Sequence, residues 1–377
     1  MDPYDRFELI LNDQIVKTPI AIASMAGYVD AHYALERAPY IGAAFLGGYS
    51  IDDGTIKASH IMAQEGRKEF LSDDPIAELR NQVALMKESD VVCGLNLRGS
   101  TPESYQAVAE NLGGQVIYEI DAHCRQPAMM DAGCGEYFLT HPHRLAETIE
   151  ALKSTGVVVS VKIRAGVSGD DRELSRMLWR AGADIIHVDL MDFGHAKLRQ
   201  IRNTNPLILI ANNSINTFER AKDMFSRGAD LVSLARRSDI KTLRGLDAAI
   251  KEYADETGWY NAPKQLCRGG DVRALTFCCM PVKDCPLLPL LDRIKLSRAD
   301  FVVTKQEGVR NTPLEEGENT CFGSMAYCCK SSTPCMFRDI SLFQQGISKK
   351  DYMRYKHRLC EKIMARVFHE VPSDDAG

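Results

Sequence analysis

The stretch Val157-Val158-Val159-Ser160-Val161-Lys162-Ile163 follows closely on a segment with helical spacing, His141–Ser154, whose apolar residues fall at 145, 149 and 152. A β-branched run next to an amphipathic helix is the repeating unit of a parallel sheet covered on both faces. The unit recurs through the first 250 residues. Further runs lie at Ile20–Ala23, Ala43–Leu46, Val91–Leu97, Gln115–Ile120, Ala183–Val188, Leu207–Ala211 and Leu231–Leu234. Helical spacing also marks Pro75–Lys87, with apolar residues at 76, 79, 83, 85 and 86, and Asn216–Ser226, at 218, 221, 224 and 225. Eight units in about 250 residues match a closed (β/α)8 TIM barrel in number and size. The alternative, a doubly wound open sheet, usually has fewer strands and often a G-x-G-x-x-G turn after the first. Here the first run passes into Ser24-Met25-Ala26-Gly27. The expected fold class is therefore α/β, a (β/α)8 barrel with a second domain after it.

Composition and charge set the boundaries. The chain has 377 residues, 45% apolar and 26% charged, which excludes a largely disordered chain. A net charge of −5, from 46 basic and 51 acidic residues, excludes a generally basic nucleic-acid-coating surface. No apolar run approaches the roughly 20 residues of a membrane span. The opening MDPYDRFELI has neither a basic n-region nor an apolar h-region, so a cytoplasmic protein is expected. Residues 264–377 carry 18 basic and 14 acidic side chains, a net of +4, which leaves −9 for residues 1–263. Cysteine density rises at the same place. The expected domains are residues 1–255, the barrel, and residues 256–377, a Cys-rich domain.

A barrel concentrates chemistry at the C-terminal ends of its strands. There the sequence reads Ser24-Met25, Asn96 and Arg98, Asp121-Ala122-His123-Cys124-Arg125, Lys162 and Arg164, His187 and Asp189, Asn212-Asn213, and Ala235-Arg236-Arg237. Strand ends meet solvent and carry polar residues for that reason alone. Lys and Arg inside V-K-I-R and L-N-L-R, between apolar neighbours, point further, to an anion site built from the six cations of the rim.

These motifs resemble the tRNA-dihydrouridine synthases. Pro19–Asp30 resembles that family's P-x-x-x-A-P-M-A-G-V-T-D opening, Leu95–Ser100 its V-Q-L-F-G-S, and Val161–Gly166 its V-K-I-R-L-G. Ile186–Asp189 sits where the family has V-H-G-R, Ala211–Ile215 where it has G-N-G-D-I, and Gly228–Arg236 where it has G-A-D-G-V-M-I-G-R. The likeness covers about residues 19–240, with the motifs in family order. It implies an FMN-binding barrel. By resemblance the flavin contacts are Ser24, Met25, Asn96, Lys162, His187, Asn212, Asn213, Ala235 and Arg236. The family's N-x-G-C-P becomes Asp121-Ala122-His123-Cys124-Arg125, which implies Cys124 as the acid that protonates the substrate. A buried structural cysteine is the other reading of Cys124. Asp189 stands where the family has arginine, and no helical RNA-binding extension follows residue 250.

The second domain repeats one motif, a cysteine, a spacer, then aromatic-Cys-Cys-x5-Cys. The copies use Cys267, Cys278, Cys279 and Cys285, then Cys321, Cys328, Cys329 and Cys335. Clustered thiols in a reducing compartment read as metal ligands. Four-cysteine zinc and iron–sulfur clusters both fit this count, and a purely thiol role stays open. The C-x2–4-C pairs of zinc knuckles are missing and Asp284-Cys285-Pro286 has the Cys-Pro common after cluster ligands, so iron–sulfur is preferred. Residues 267–335 also resemble the Cys-rich methanogenesis marker domain 9 of methanogenic archaea, whose function is unknown. A C-terminal helix is expected over Lys349–Phe368, with seven Lys or Arg between Lys349 and Arg366.

Two functions follow as expectations. In the first, a flavin-dependent oxidoreductase acts on an activated C–C bond of a modified RNA or a methanogenesis-linked substrate, with an auxiliary metal or iron–sulfur centre. In the second, the barrel is catalytically retired and a zinc module recognises tRNA or a methanogenesis-related protein. The electron donor is open in both, and no membrane is involved.

Overall fold

The computed structural model describes residue 7 and residues 9–257, except 192, 193, 203 and 206, together with residues 297, 299, 303 and 346. The chain divides into two compact units, residues 18–248, and residues 1–17 with 249–377. The eight clustered cysteines, the helix expected over Lys349–Phe368 and nearly all of residues 256–377 lie outside the described residues.

Ten strands are described. β1 (Ile10–Leu11) and β2 (Gln14–Ile15) form a small antiparallel hairpin. Its two-residue loop, Asn12-Asp13, has φ of 46° and 59°, the left-handed backbone that such tight hairpins demand. The other eight are β3 (Ile20–Ile22), β4 (Ala43–Ser50), β5 (Val92–Arg98), β6 (Ile117–Ala122), β7 (Val158–Arg164), β8 (Ile185–Asp189), β9 (Ile208–Asn212) and β10 (Leu231–Leu234). All eight are parallel to their neighbours and close in sequence order, β10 pairing with β3. Each expected run is one of these strands, so residues 18–248 form a closed eight-stranded (β/α)8 barrel.

The helices are α1 (Ala31–Leu35), α2 (Asp53–Gln64), α3 (Pro75–Met86), α4 (Pro102–Leu112), α5 (Pro127–Asp131), α6 (Tyr137–Thr140), α7 (Pro142–Ser154), α8 (Asp171–Arg180), α9 (His195–Arg202), α10 (Phe218–Ser226) and α11 (Ile240–Thr257). Their starts are written in the sequence. Asp30, Asp52, Asp74, Thr101, Asp170 and Thr217 each accept a backbone N–H of the first turn, and Pro opens α3, α4 and α7. On α3 the buried face is Leu79, Gln82, Val83 and Met86. Gln82 is polar yet buried because its Oε1 accepts the Ala31 N–H at 2.7 Å. Hydrophobic spacing does not reveal such a residue. Among the described residues no helix is long and apolar enough to cross a membrane.

The end of the barrel away from the strand C-termini is braced by charge. Arg202 is fully buried, donates to the carbonyls of Gly228 and Leu207, and pairs with Asp230 at 2.8 Å. A Cβ on Gly228 would meet the Arg202 side chain at 2.5 Å, so this crossing needs glycine.

Candidate active site at the barrel mouth

Inward side chains alternate along each strand, and here they are polar. β5 contributes Asn96 and Arg98, β6 Glu119 and Asp121, β7 Ser160, Lys162 and Arg164, and β8 His187 and Asp189. The deeper set is knit around Glu119, which is buried completely. It accepts from Asn96 Nδ2 at 2.9 Å and Ser160 Oγ at 3.0 Å, and His187 Nδ1 lies 2.9 Å away. His187 Nε2 reaches Ser233 Oγ at 2.7 Å, and Asn212 Nδ2 donates to the same hydroxyl at 2.8 Å. Burial works to raise the Glu119 carboxyl, but His187, Lys162 and the Asn96 amide outweigh it and hold it below its usual range. Burial likewise lowers His187, against the pull of Glu119.

Lys162 stands apart from this hub. It is 4% exposed, and its Nζ donates to Ser24 Oγ at 2.9 Å and Ser24 O at 3.3 Å. β7 and β3 are opposite one another in the eight-stranded ring, so this side chain spans the barrel interior. Of the other residues singled out from the sequence, Met25 accepts the Tyr28 and Val29 N–H groups in the turn after β3. Asn213 and Ser214 follow β9 with φ of 104° and 54°. Ala235 is half-buried and Arg236 exposed after β10.

The rim cations are not a uniform anion site. Arg98, 5% exposed, lies between two carboxylates, Glu69 Oε2 at 2.6 Å and Asp121 Oδ2 at 3.0 Å. Arg164 Nε lies 2.6 Å from Glu136 Oε1, and its NH1 3.9 Å from Asp189. Two of the six rim cations are thus held by acids, while Lys162 meets a hydroxyl and a carbonyl, and Arg125, Arg236 and Arg237 are exposed. Glu69 and Glu136 come from loops with no periodic signal, and sequence reasoning missed both. It also missed Glu119, although a carboxylate inside Ile117-Tyr118-Glu119-Ile120, two residues before Asp121, is a visible signal.

Cys124 is buried directly after β6. Burial pushes its thiol up, opposed by Arg98 and reinforced by Asp121. It therefore stays protonated at neutral pH. The segment after it folds back tightly, with Glu136 N–H donating to Cys124 O at 2.8 Å. Gly135 has φ of 71°, and a Cβ there would collide with that same carbonyl. Cys93 and Cys134 are also buried. Asp121 accepts the N–H groups of His123 and Cys124, each at 3.0 Å. Burial raises Asp121, but Arg98, His123 and Lys162 outweigh it and hold it low.

Asp189 yields a test of this electrostatic scheme. Burial raises its carboxyl, while the His123 hydrogen bond and charge, the Met191 N–H and Arg164 outweigh burial and pull it to about 2. A folded-state value below the unfolded one contributes stability above about pH 4, lost as pH falls through the folded value. The shift is worth about 2 kcal/mol. Asp189→Asn is expected to lower unfolding free energy by that amount at pH 7 and by much less near pH 2 in urea titrations. Equal losses at both pH values would contradict the scheme.

No protein-family model matches the sequence. Over 107 residues the chain is 48% identical to the uncharacterized protein MJ0115 of Methanocaldococcus jannaschii, covering 69% of that protein and 28% of this one. The chain belongs to the family of that protein. It is also 28% identical over 247 residues to the uncharacterized protein MJ0144 of the same organism, covering 94% of it and 63% of this chain. Over 117 residues it is 29% identical to the catalytic subunit of dihydroorotate dehydrogenase B (NAD(+)) of Methanocella arvoryzae, covering 37% of that protein and 31% of this one.

Proposed function

We propose that the barrel is a flavin-dependent oxidoreductase of the dihydrouridine synthase-like class, binding FMN at its mouth and acting on an activated C–C bond. The observation that carries the proposal is Lys162, a buried ammonium at the mouth whose hydrogen bonds go to one serine just after the opposite strand, β3. A cation in that position suits a flavin ring, whose reduced form is anionic. The residues present fit the cofactor. Asn213 and Ser214 make a left-handed turn into α10, the kind of backbone whose N–H groups receive phosphate, and Arg236 is exposed on the adjacent loop. The similarity to a dihydroorotate dehydrogenase subunit supports the broader reading, an oxidoreductase.

Bound there, FMN would supply hydride transfer. The chain's own part is to orient and protonate. Lys162 and Ser24 would hold its ring, with Met25, Ala235 and Arg236 on the surrounding loops. Asn96, His187 and Asn212, tied to Glu119 and Ser233, keep the deeper wall rigid. Cys124, a thiol kept protonated by burial, is the proton donor.

The eight cysteines Cys267 to Cys335 complete the proposal: they would hold one or more iron–sulfur clusters in preference to zinc, as an auxiliary redox centre. The substrate is a modified RNA or a methanogenesis-linked compound. A second reading, a retired barrel with a zinc module that recognises tRNA or a protein, is favoured by Asp189, an acid in place of the family's arginine. Anaerobic purification of the full chain separates the two. Flavin bands above broad cluster absorbance, with iron and acid-labile sulfide, are expected; a colourless zinc protein would establish the second.

A further inference from the structure

A second titratable side chain stands beside Cys124. His123 follows β6 with its side chain 25% exposed, and its Nε2 lies 2.6 Å from Asp189 Oδ2. Arg164 NH2 lies 3.2 Å from the same nitrogen and 3.3 Å from the His123 carbonyl oxygen. These contacts fix the tautomer. A carboxylate only accepts, so Nε2 must donate its N–H to Asp189. Arg164 NH2 is also a donor, and it is left with the His123 carbonyl as its acceptor. In the neutral ring Nδ1 then carries the lone pair, and no side chain or backbone group of the described residues is hydrogen-bonded to it.

The ring is clamped from several sides. Asp189 Oδ1 accepts the Met191 N–H at 3.0 Å, which fixes the carboxylate. Arg164 is tied back to Glu136 at 2.6 Å. The His123 N–H itself donates to Asp121 Oδ1. The charged or titratable groups around the imidazole are thus Asp121 from β6, Arg164 from β7, His187 and Asp189 from β8, and Glu136 behind Arg164. A surface histidine with a merely structural role does not require this much orientation on one nitrogen while the other is left unbonded.

We propose that His123 is a second proton-transfer group of the barrel mouth, presenting Nδ1 to the substrate with Asp189 as its orienting carboxylate. The proposal rests on the reading of the mouth as the active site. It supplies what Cys124 lacks. A buried thiol pushed up in pKa is a donor and a poor acceptor, whereas an imidazole lone pair accepts. The substrate class this pair suits is a carbon or nitrogen acid next to a carbonyl. Nδ1 takes the proton, and the bonding pair stays on the substrate and delocalises onto the carbonyl oxygen. The imidazolium that forms is balanced by the Asp189 carboxylate, the arrangement used by carboxylate–histidine pairs in acyl transfer. The reverse step returns the proton.

The test needs no substrate. Histidine side-chain nitrogen spectra of the full-length 15N-labelled protein, assigned with His123→Gln, read the tautomer directly. In the neutral imidazole, Nε2–H with an unprotonated Nδ1 is expected; an Nδ1–H tautomer overturns the proposal. Diethyl pyrocarbonate then probes the lone pair, with modification of His123 followed by mass spectrometry. Modification is expected in the wild type and about tenfold slower in Asp189→Asn, the scale of effect when an orienting partner is lost. An unreactive wild-type His123, or an unchanged rate in the variant, reduces the pair to a brace. FMN titration of the same samples reads the flavin proposal separately. If FMN fails to bind while Nδ1 is reactive in the fixed tautomer, the flavin reading falls and the proton-transfer group stands.

Discussion

Arg98→Met should destabilise the barrel by about 3–5 kcal/mol, the range for removing one partner of a buried ion pair. The guanidinium is the shared counter-ion of Glu69 and Asp121, both buried, and methionine fills its volume without its charge. Asp121 would keep the two N–H donors of His123 and Cys124, which places the loss below that of a bare buried charge. The pH dependence has a definite sign. Arg98 is the strongest of the groups holding the Asp121 carboxyl low. Without it, burial raises that carboxyl, so the variant gains on folding by taking up a proton. Its deficit relative to wild type must shrink as pH falls into the carboxylate range and reach its full size near neutrality. Urea unfolding of both proteins at pH 4 and pH 7 checks this. A deficit independent of pH would mean that lost packing, not lost charge, is the cause.

With Cys124 as the proposed proton donor, Cys124→Ala carries the largest expected effect on activity. Removing a general acid typically costs about 10²–10⁴-fold in rate. The side chain is small and buried, and its backbone carbonyl, which receives the Glu136 N–H, is untouched by the substitution. Flavin binding and reduction of the flavin are therefore expected to survive while transfer to an activated C–C bond fails. Stopped-flow spectra separate the two half-reactions. Full turnover in the variant would remove Cys124 from the chemistry and leave it as a packed core cysteine like Cys93.

The barrel was legible because its strands are short β-branched runs at a steady interval, and such runs bury both faces in a parallel sheet. Val158–Arg164 shows how far that carries. Lys162 and Arg164 are visibly out of place between valine and isoleucine, and both point into the mouth. Their partners were not legible. Lys162 meets Ser24 across the whole ring, and Arg164 meets Glu136 from the turn before α6. Pairings of that kind depend on barrel closure and on loop paths, for which the sequence has no period. The expectation of an anion site from six cations was therefore too broad, since loop carboxylates take up Arg98 and Arg164. Asp189 was visible as a departure from arginine, but its pairing with His123 was not, because the two lie 66 residues apart. The eight cysteines are legible only as a repeat, and they lie outside the described residues.

The proposed activity requires FMN at the mouth. The most direct measurement is a fluorescence titration of FMN into the full-length protein and into Lys162→Met, with circular dichroism to confirm that both are folded. A charge-assisted hydrogen bond contributes about 1.5–3 kcal/mol. Saturable binding at one FMN per chain, weakened about tenfold or more in the variant, is the predicted result. A folded wild-type protein that does not bind FMN, or a variant that binds it equally well, would contradict the assignment of Lys162 and of the site.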